Sequence, residues 1–237
     1  LDLTTPLPLG YGQQGETKMA TDQAIDLNST DLFDIQRSMR AMRRLKPDPV
    51  PDALITKILE AGLCAPNGGN SQKWRFLVVK DAAVKKAVQH YYKRAYDEVQ
   101  KPRHDAHAPK EPGPALDQHH RNEAAIEYLT DHFHEAPVWI VACAADANSD
   151  SAATGASVFP AVQNMLLAAR ALGLGATLTA RHVAFREEVE KLLGLPKNFH
   201  SFAILPIGYP IGKFGPTRRA PLNEIAFLNN FNTPWPT

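Results

Sequence analysis

Cysteine is scarce in this chain, with two among 237 residues, Cys64 and Cys143. They form no CxxC pair and cannot supply a disulfide framework, and both read as buried structural thiols of a reducing compartment. Long apolar runs are missing as well. The longest, Ala136–Ala145, has ten residues, too few to cross a bilayer. Charge of one sign is lacking too: Lys+Arg 26 against Asp+Glu 25 leaves +1, which argues against a globally basic nucleic-acid binder. No charged segment followed by an apolar core opens the chain, so no signal peptide is read and a cytoplasmic location is expected; Met19 is a candidate native start, with residues 1–18 then non-native.

Several catalytic signatures are absent. There is no GxxxxGK[ST] phosphate loop, no HExxH and no GxSxG nucleophile elbow. Seven of the nine histidines fall between His90 and His134, including His104, His107, His119 and His120, but no cysteine lies near them and no metal is expected.

What is present suits a globular domain. Hydrophobic residues make up 44% and charged residues 22% of the chain, and a chain of this mass buries ~70% of its unfolded surface. Residues 1–28 read as a polar N-terminal arm and 29–237 as one domain, with a variable insert or lid at about 90–134 and a C-terminal arm at 221–237. Apolar spacing predicts a helix from Ser29 to Arg44, capped by Ser29 or Thr30, and a second with Pro51 in its first position. A loop follows at Ala65–Asn70, then a strand at Trp74–Lys80 and a helix over 82–100. Pro102, Pro109, Pro112 and Pro114 predict an exposed loop over 101–118. The rest reads as a helix over 119–134, a strand at Pro137–Ala145, a helix at Val158–Leu172 ended by Gly173, and a short extended ATLTA. A helix ending at Leu193-Gly194, a strand at Phe202–Gly208 and an extended tail from Pro221 complete it. Without βαβ alternation this is an α+β pattern.

Three segments could carry chemistry. Arg37, Arg40 and Arg44, at helical spacing with Arg43 beside them, would repel one another unless solvated or bound to an anion such as phosphate. The loop Pro66-Asn67-Gly68-Gly69-Asn70-Ser71-Gln72 combines paired glycines with amide side chains. It can turn a helix into a strand or present hydrogen-bonding groups to a planar ligand. Gly173-Leu174-Gly175-Ala176-Thr177 is not a dinucleotide fingerprint, because a helix precedes the glycines and an extended chain follows.

In order and spacing these segments resemble the FMN-dependent nitroreductase family from about Asp34 to Phe227. The residues that carry the resemblance are Met39-Arg40-Ala41-Met42-Arg43-Arg44-Leu45, the Pro49-Val50-Pro51 connector, Ala65–Trp74, the LGLGAT and LLGLP segments, and Gly208-Tyr209-Pro210 with Arg218–Ile225. The resemblance implies an α+β sandwich with a central, mainly antiparallel sheet, forming an intertwined homodimer with FMN at the subunit interface. It places Arg40, Ala41, Met42, Arg43, Arg218 and Arg219 at the flavin. Arg40 and Arg219 would sit on the phosphate, and Arg43 near the N1 and O2 edge. Pro66, Asn67, Gly68 and Asn70 would come from the partner chain, while Thr177, Leu178 and Thr179 would line the ring. It further implies a ping-pong oxidoreductase passing two electrons from NAD(P)H through flavin N5 to a nitroaromatic, quinone or activated alkene. No side chain is nominated as a catalytic acid. Met39, Ala41 and Asn67 depart from the family pattern. They motivate the alternative of a flavin- or small-ligand-binding protein without turnover, and a deiodinase or flavin-destructase branch is a further one.

Overall fold

The computed structural model describes residue 26 and residues 29–145 and 152–236. The expected N-terminal arm therefore lies almost wholly outside the described residues.

The apolar run at the centre of the sequence forms the centre of the molecule. Strand β2 (Val138–Ala145) alternates strictly between two cores. Val138, Ile140, Ala142 and Ala144 face one cluster, and Trp139, Val141 and Cys143 face the other. A strand with both faces covered has no polar face, which is why the run reads as continuous rather than alternating. The first cluster packs the sheet against α2 (Asp52–Leu63) and α6 (Ala152–Ala171) through Ile58, Val162 and Met165. The second packs it against α3 (Ala82–Ala95), α5 (Pro114–His132) and α7 (Arg186–Leu192) through Val88, Tyr92, Leu129 and Val189. The layers are therefore helix, sheet, helix.

The sheet has four strands in the order β1-β2-β4-β3, where β1 is Trp74–Val79, β3 is Gly175–Ala176 and β4 is Phe199–Gly208. Every pairing is antiparallel, in the registers Trp74↔Ala144, Val138↔Ile207 and Gly175↔Gly208, with a bulge between Ala142 and Cys143. Helix α6 ends as its sequence predicts. Gly173 takes φ 74°, its N–H bonds to the Arg170 carbonyl, and the Leu174 N–H reaches back to Ala169, a Schellman closure that turns the chain into β3.

Five expectations are corrected. Helix α1 spans only Leu32–Ser38 and is capped by Asp31, whose carboxylate accepts from the Phe33 and Asp34 amides, rather than by Ser29 or Thr30. It stops at Ser38 because a better partner competes for the following backbone. The Met42 N–H bonds to the Ala176 carbonyl, and Leu45 bridges Pro210, so Met39–Leu45 runs extended along the β3 edge. Pro102 and Pro114 do not mark a loop but open α4 (Lys101–Ala106) and α5, where a missing N–H costs nothing. Pro51 caps α2 instead of occupying its first turn, and the tail forms a short helix, α8 (Leu222–Ile225). Finally, Cys143 is buried as expected, but Cys64 is exposed, because it follows α2 where the buried face has turned away.

Candidate functional site

The end of α1, the extended Met39–Leu45 and the β3 edge converge on one side of the sheet. Arg170, buried near the end of α6, ties them together: its Nε donates to the Ser38 hydroxyl at 3.0 Å, and its guanidinium lies 4.2 Å from the Phe214 ring. The Thr217 N–H then bonds to the Arg37 carbonyl at 2.8 Å, which lays the segment carrying Arg218 and Arg219 beside the arginine run.

The arginines do not share a helical face, as their spacing predicts; only Arg37 is helical. They also separate by partner. Arg37 pairs with Asp34 at 2.6 Å, and Arg44 stacks over the Tyr128 ring at 4.9 Å. Arg40 and Arg43 have no ion pair among the described residues. Arg43 is half-buried, and burial is the main cause that lowers its pKa, with the Arg40 charge acting in the same direction. A desolvated cation with no acid beside it is costly unless something anionic or electron-rich meets it. A phosphate for Arg40 and Arg219 and a pyrimidine edge for Arg43 would meet that need, so these residues fit FMN. Ala41 lies between them, half-buried. The Met42 side chain is core and its N–H is taken by Ala176.

Across from this run, Thr177 is buried, Leu178 is exposed, and Thr179 exchanges two backbone hydrogen bonds with Ile204. The Thr179 hydroxyl lies 3.1 Å from that of Tyr92. Beyond them comes a group that pattern reading passed over. The Arg181 guanidinium lies 4.3 Å from the Tyr92 ring and 4.9 Å from the Tyr96 ring, and donates to the Thr130 hydroxyl at 2.5 Å. The Tyr96 hydroxyl in turn reaches Glu123 and Glu127, both at 3.2 Å, and Glu123 meets His104 at 2.5 Å. The one sequence hint to Arg181 was a charged residue directly after an apolar, extended stretch. Tyr91 packs on Phe185, while Tyr92 and Phe133 are stacked core residues.

The glycine loop is not brought to this place. Gly69, Asn70 and Gln72 take positive φ, the Gln72 amide donates to the Asn67 side chain at 2.8 Å, and the Gly68 amide donates to Ser157 of α6 at 3.1 Å. Ser157 and Arg170 are thirteen residues apart on one helix, ~20 Å by its rise. The loop also leads into β1, the sheet edge opposite β3. A groove of about 360 Å³ lined by Leu59, Leu63, Gln72, Trp74, Arg75 and Phe76 lies at that far edge. Pro66, Asn67, Gly68 and Asn70 therefore stand together, remote from Arg40, Arg43, Arg218, Arg219 and Thr177–Thr179 of the same chain. Among the described residues no group of histidines, cysteines and carboxylates could hold a metal ion.

A helix-sheet-helix sandwich with unneutralised guanidiniums at one sheet edge and a glycine loop at the other defines the class. The chain belongs to the nitroreductase family, whose model matches residues 37–209. Among its relatives, a protein named NADH dehydrogenase from Thermus thermophilus is 32% identical over 199 residues, covering 78% of this chain and 90% of the relative. An iodotyrosine deiodinase from Thermotoga neapolitana is 27% identical over 203 residues, covering 84% and 97%. A crystal structure of oxidised iodotyrosine deiodinase bound to FMN and 3-iodo-L-tyrosine superposes with a TM-score of 0.64 at 26% identity, covering 84% of this chain and 99% of that one. Membership makes the chain a flavoprotein oxidoreductase by class.

Proposed function

We propose that this protein binds FMN between two copies of itself and passes two electrons from NAD(P)H to a small acceptor, a nitroaromatic, quinone or activated alkene, in a ping-pong cycle. The observation that carries this reading is Arg43, a half-buried cation with no acidic partner among the described residues, at the meeting of Met39–Leu45 with the β3 edge. When bound, FMN supplies the two-electron chemistry. Arg40 and Arg219 hold its phosphate from the solvent side, and Arg43 favours negative charge at the pyrimidine edge. Thr177, Leu178 and Thr179 form one wall. Pro66, Asn67, Gly68 and Asn70 of a second copy form the other, since within one chain they stand at the opposite end of α6. No side chain of the site has to move a proton.

The visible spectrum of the purified protein, before and after anaerobic NADH or NADPH, tests this. Flavin bands that bleach on addition are expected. A protein that stays colourless in added FMN would end the reading, and bands that persist with both nucleotides would favour a flavin-binding protein without turnover. The similarity to iodotyrosine deiodinases over 84% of the chain favours one second reading, a reductive dehalogenase. Release of iodide from 3-iodotyrosine by the reduced protein distinguishes it.

A further inference from the structure

Arg43 is not the only half-buried cation on this side of the sheet. Arg181 leaves the same extended segment two residues after Thr179, and its own amide donates to the Thr179 hydroxyl at 3.4 Å. Its guanidinium is fixed on three sides. The Tyr92 and Tyr96 rings cover it at 4.3 and 4.9 Å, and the Thr130 hydroxyl takes one N–H at 2.5 Å. The Nε is buried without a partner. Two aromatic faces stabilise a cation without neutralising it.

The acids beside Tyr96 are held off. Glu123 and Glu127 both accept from the Tyr96 hydroxyl at 3.2 Å, and among the described residues neither makes an ion pair with Arg181. Glu123 is further engaged by His104 and Glu127 by Lys101. Burial lowers the Arg181 pKa most, the Arg43 charge lowers it further, and Glu123 opposes that. The two guanidiniums thus sense each other, and both act on Tyr92, whose hydroxyl meets Thr179.

We propose that Arg181 is a second fixed cation of the site, a positioning residue behind Arg43, and that its partial screening by Glu123 sets how strongly the site prefers reduced over oxidised flavin. The proposal rests on the flavin reading above. Reduced flavin carries a negative charge near N1 that the oxidised form lacks, so a fixed cation held in a low-dielectric wall favours the reduced form, the more so the less it is screened. Arg181 sits on the tyrosines rather than on the cofactor, and its effect is exerted through space and through the Tyr92–Thr179 contact. The insert then tunes the flavin: Tyr96, Glu123 and His104 lie in 90–134, and their charge reaches the site through one guanidinium.

The experiment compares binding of oxidised and dithionite-reduced FMN to the apoprotein, anaerobically, for four proteins. Wild type sets the reference ratio. Arg181→Gln is expected to lose about tenfold of the preference for reduced FMN, which lowers the two-electron potential by about 30 mV. Arg181→Lys, which keeps the charge, should restore most of it. Glu123→Gln should shift the ratio the other way, because it removes the screening carboxylate and leaves Arg181 in place. General damage to the fold would not move a ratio in opposite directions, and Glu123→Gln carries the test if Arg181→Gln does not fold. A protein that binds FMN but shows the wild-type ratio in Arg181→Gln, or shifts of one sign in both variants, overturns the role of Arg181 and leaves the flavin reading standing. Failure of wild type to bind either form overturns both.

Discussion

Arg43 and His182 show two different consequences of burying a titratable side chain. Arg43 stays without an ion pair among the described residues, and on the flavin reading proposed above FMN is its partner. Arg43→Ala removes the charge-assisted contacts, each worth ~1.5–3 kcal/mol, and is expected to weaken FMN binding by ~10- to 150-fold. Flavin titration of the apoprotein reads this directly, and unchanged affinity would remove Arg43 from the site. His182 is instead held neutral. It is fully buried, with Nε2 3.0 Å from the Ser201 hydroxyl, which donates onward to Glu190 at 2.9 Å. Burial, assisted by the Arg186 charge, pushes its pKa down to about 4. A group depressed in the folded state gives stability that is complete above its unfolded pKa near 6.5 and is lost as pH falls from there through 4. The loss amounts to about 3 kcal/mol when complete. Urea midpoints of wild type and His182→Gln, taken at pH 7 and pH 4.5, should converge as pH falls; parallel acid dependence would show that His182 does not titrate on unfolding.

At the scale of elements, close packing of β3 against the Met39–Leu45 segment is what positions the arginines. A Cβ on Gly175 would lie 2.9 Å from both Met42 Cβ and Leu45 Cδ2. Gly175→Ala must push that segment away, so a destabilisation of ~1–3 kcal/mol is expected together with weaker FMN binding. Full affinity in a destabilised variant would show that the arginine run holds its place without this contact. The same segment marks what the sequence could and could not disclose. Strands β1, β2 and β4, helix α6 and its glycine stop were legible because apolar periodicity and a left-handed C′ residue are local signals. The end of α1 was not, since Met39 and Met42 keep helical spacing while their backbone belongs to the β3 edge, 134 residues further on in the Met42–Ala176 bond. Pro102 and Pro114 misled because a proline that ends one element also suits the first turn of the next. The arginines, the glycine loop and Thr177–Thr179 stand out in the sequence through motif order. Arg181 and the Tyr96–Glu123–His104 chain were not, because those contacts join residues 19 to 51 positions apart with no repeating pattern.

For the whole molecule the separation of the loop from the arginines is decisive. If each site takes its arginines from one copy and its loop from the other, two crippled variants can repair each other. Arg40→Ala/Arg43→Ala and a variant with Gly68-Gly69-Asn70 replaced by bulky residues should each lose flavin. Unfolded, mixed and refolded together, they should regain about a quarter of wild-type flavin sites, because half the pairs are mixed and each holds one intact site. No recovery, with both variants folded, would place the loop elsewhere. Among the described residues no helix is long and apolar enough to cross a membrane.

Helix α6 runs as a spacer between the glycine loop and the arginine run, tied to the first by Ser157 and to the second by Arg170. A spacer of that length cannot fold back, so on the flavin reading proposed above a lone chain would offer FMN only half a cage. Cofactor and self-association then become one equilibrium. Flavin added to a dilute solution is then expected to draw the copies together, and dilution to shed flavin as the copies part. The cell's supply of FMN would thereby decide how much of this protein is assembled at all.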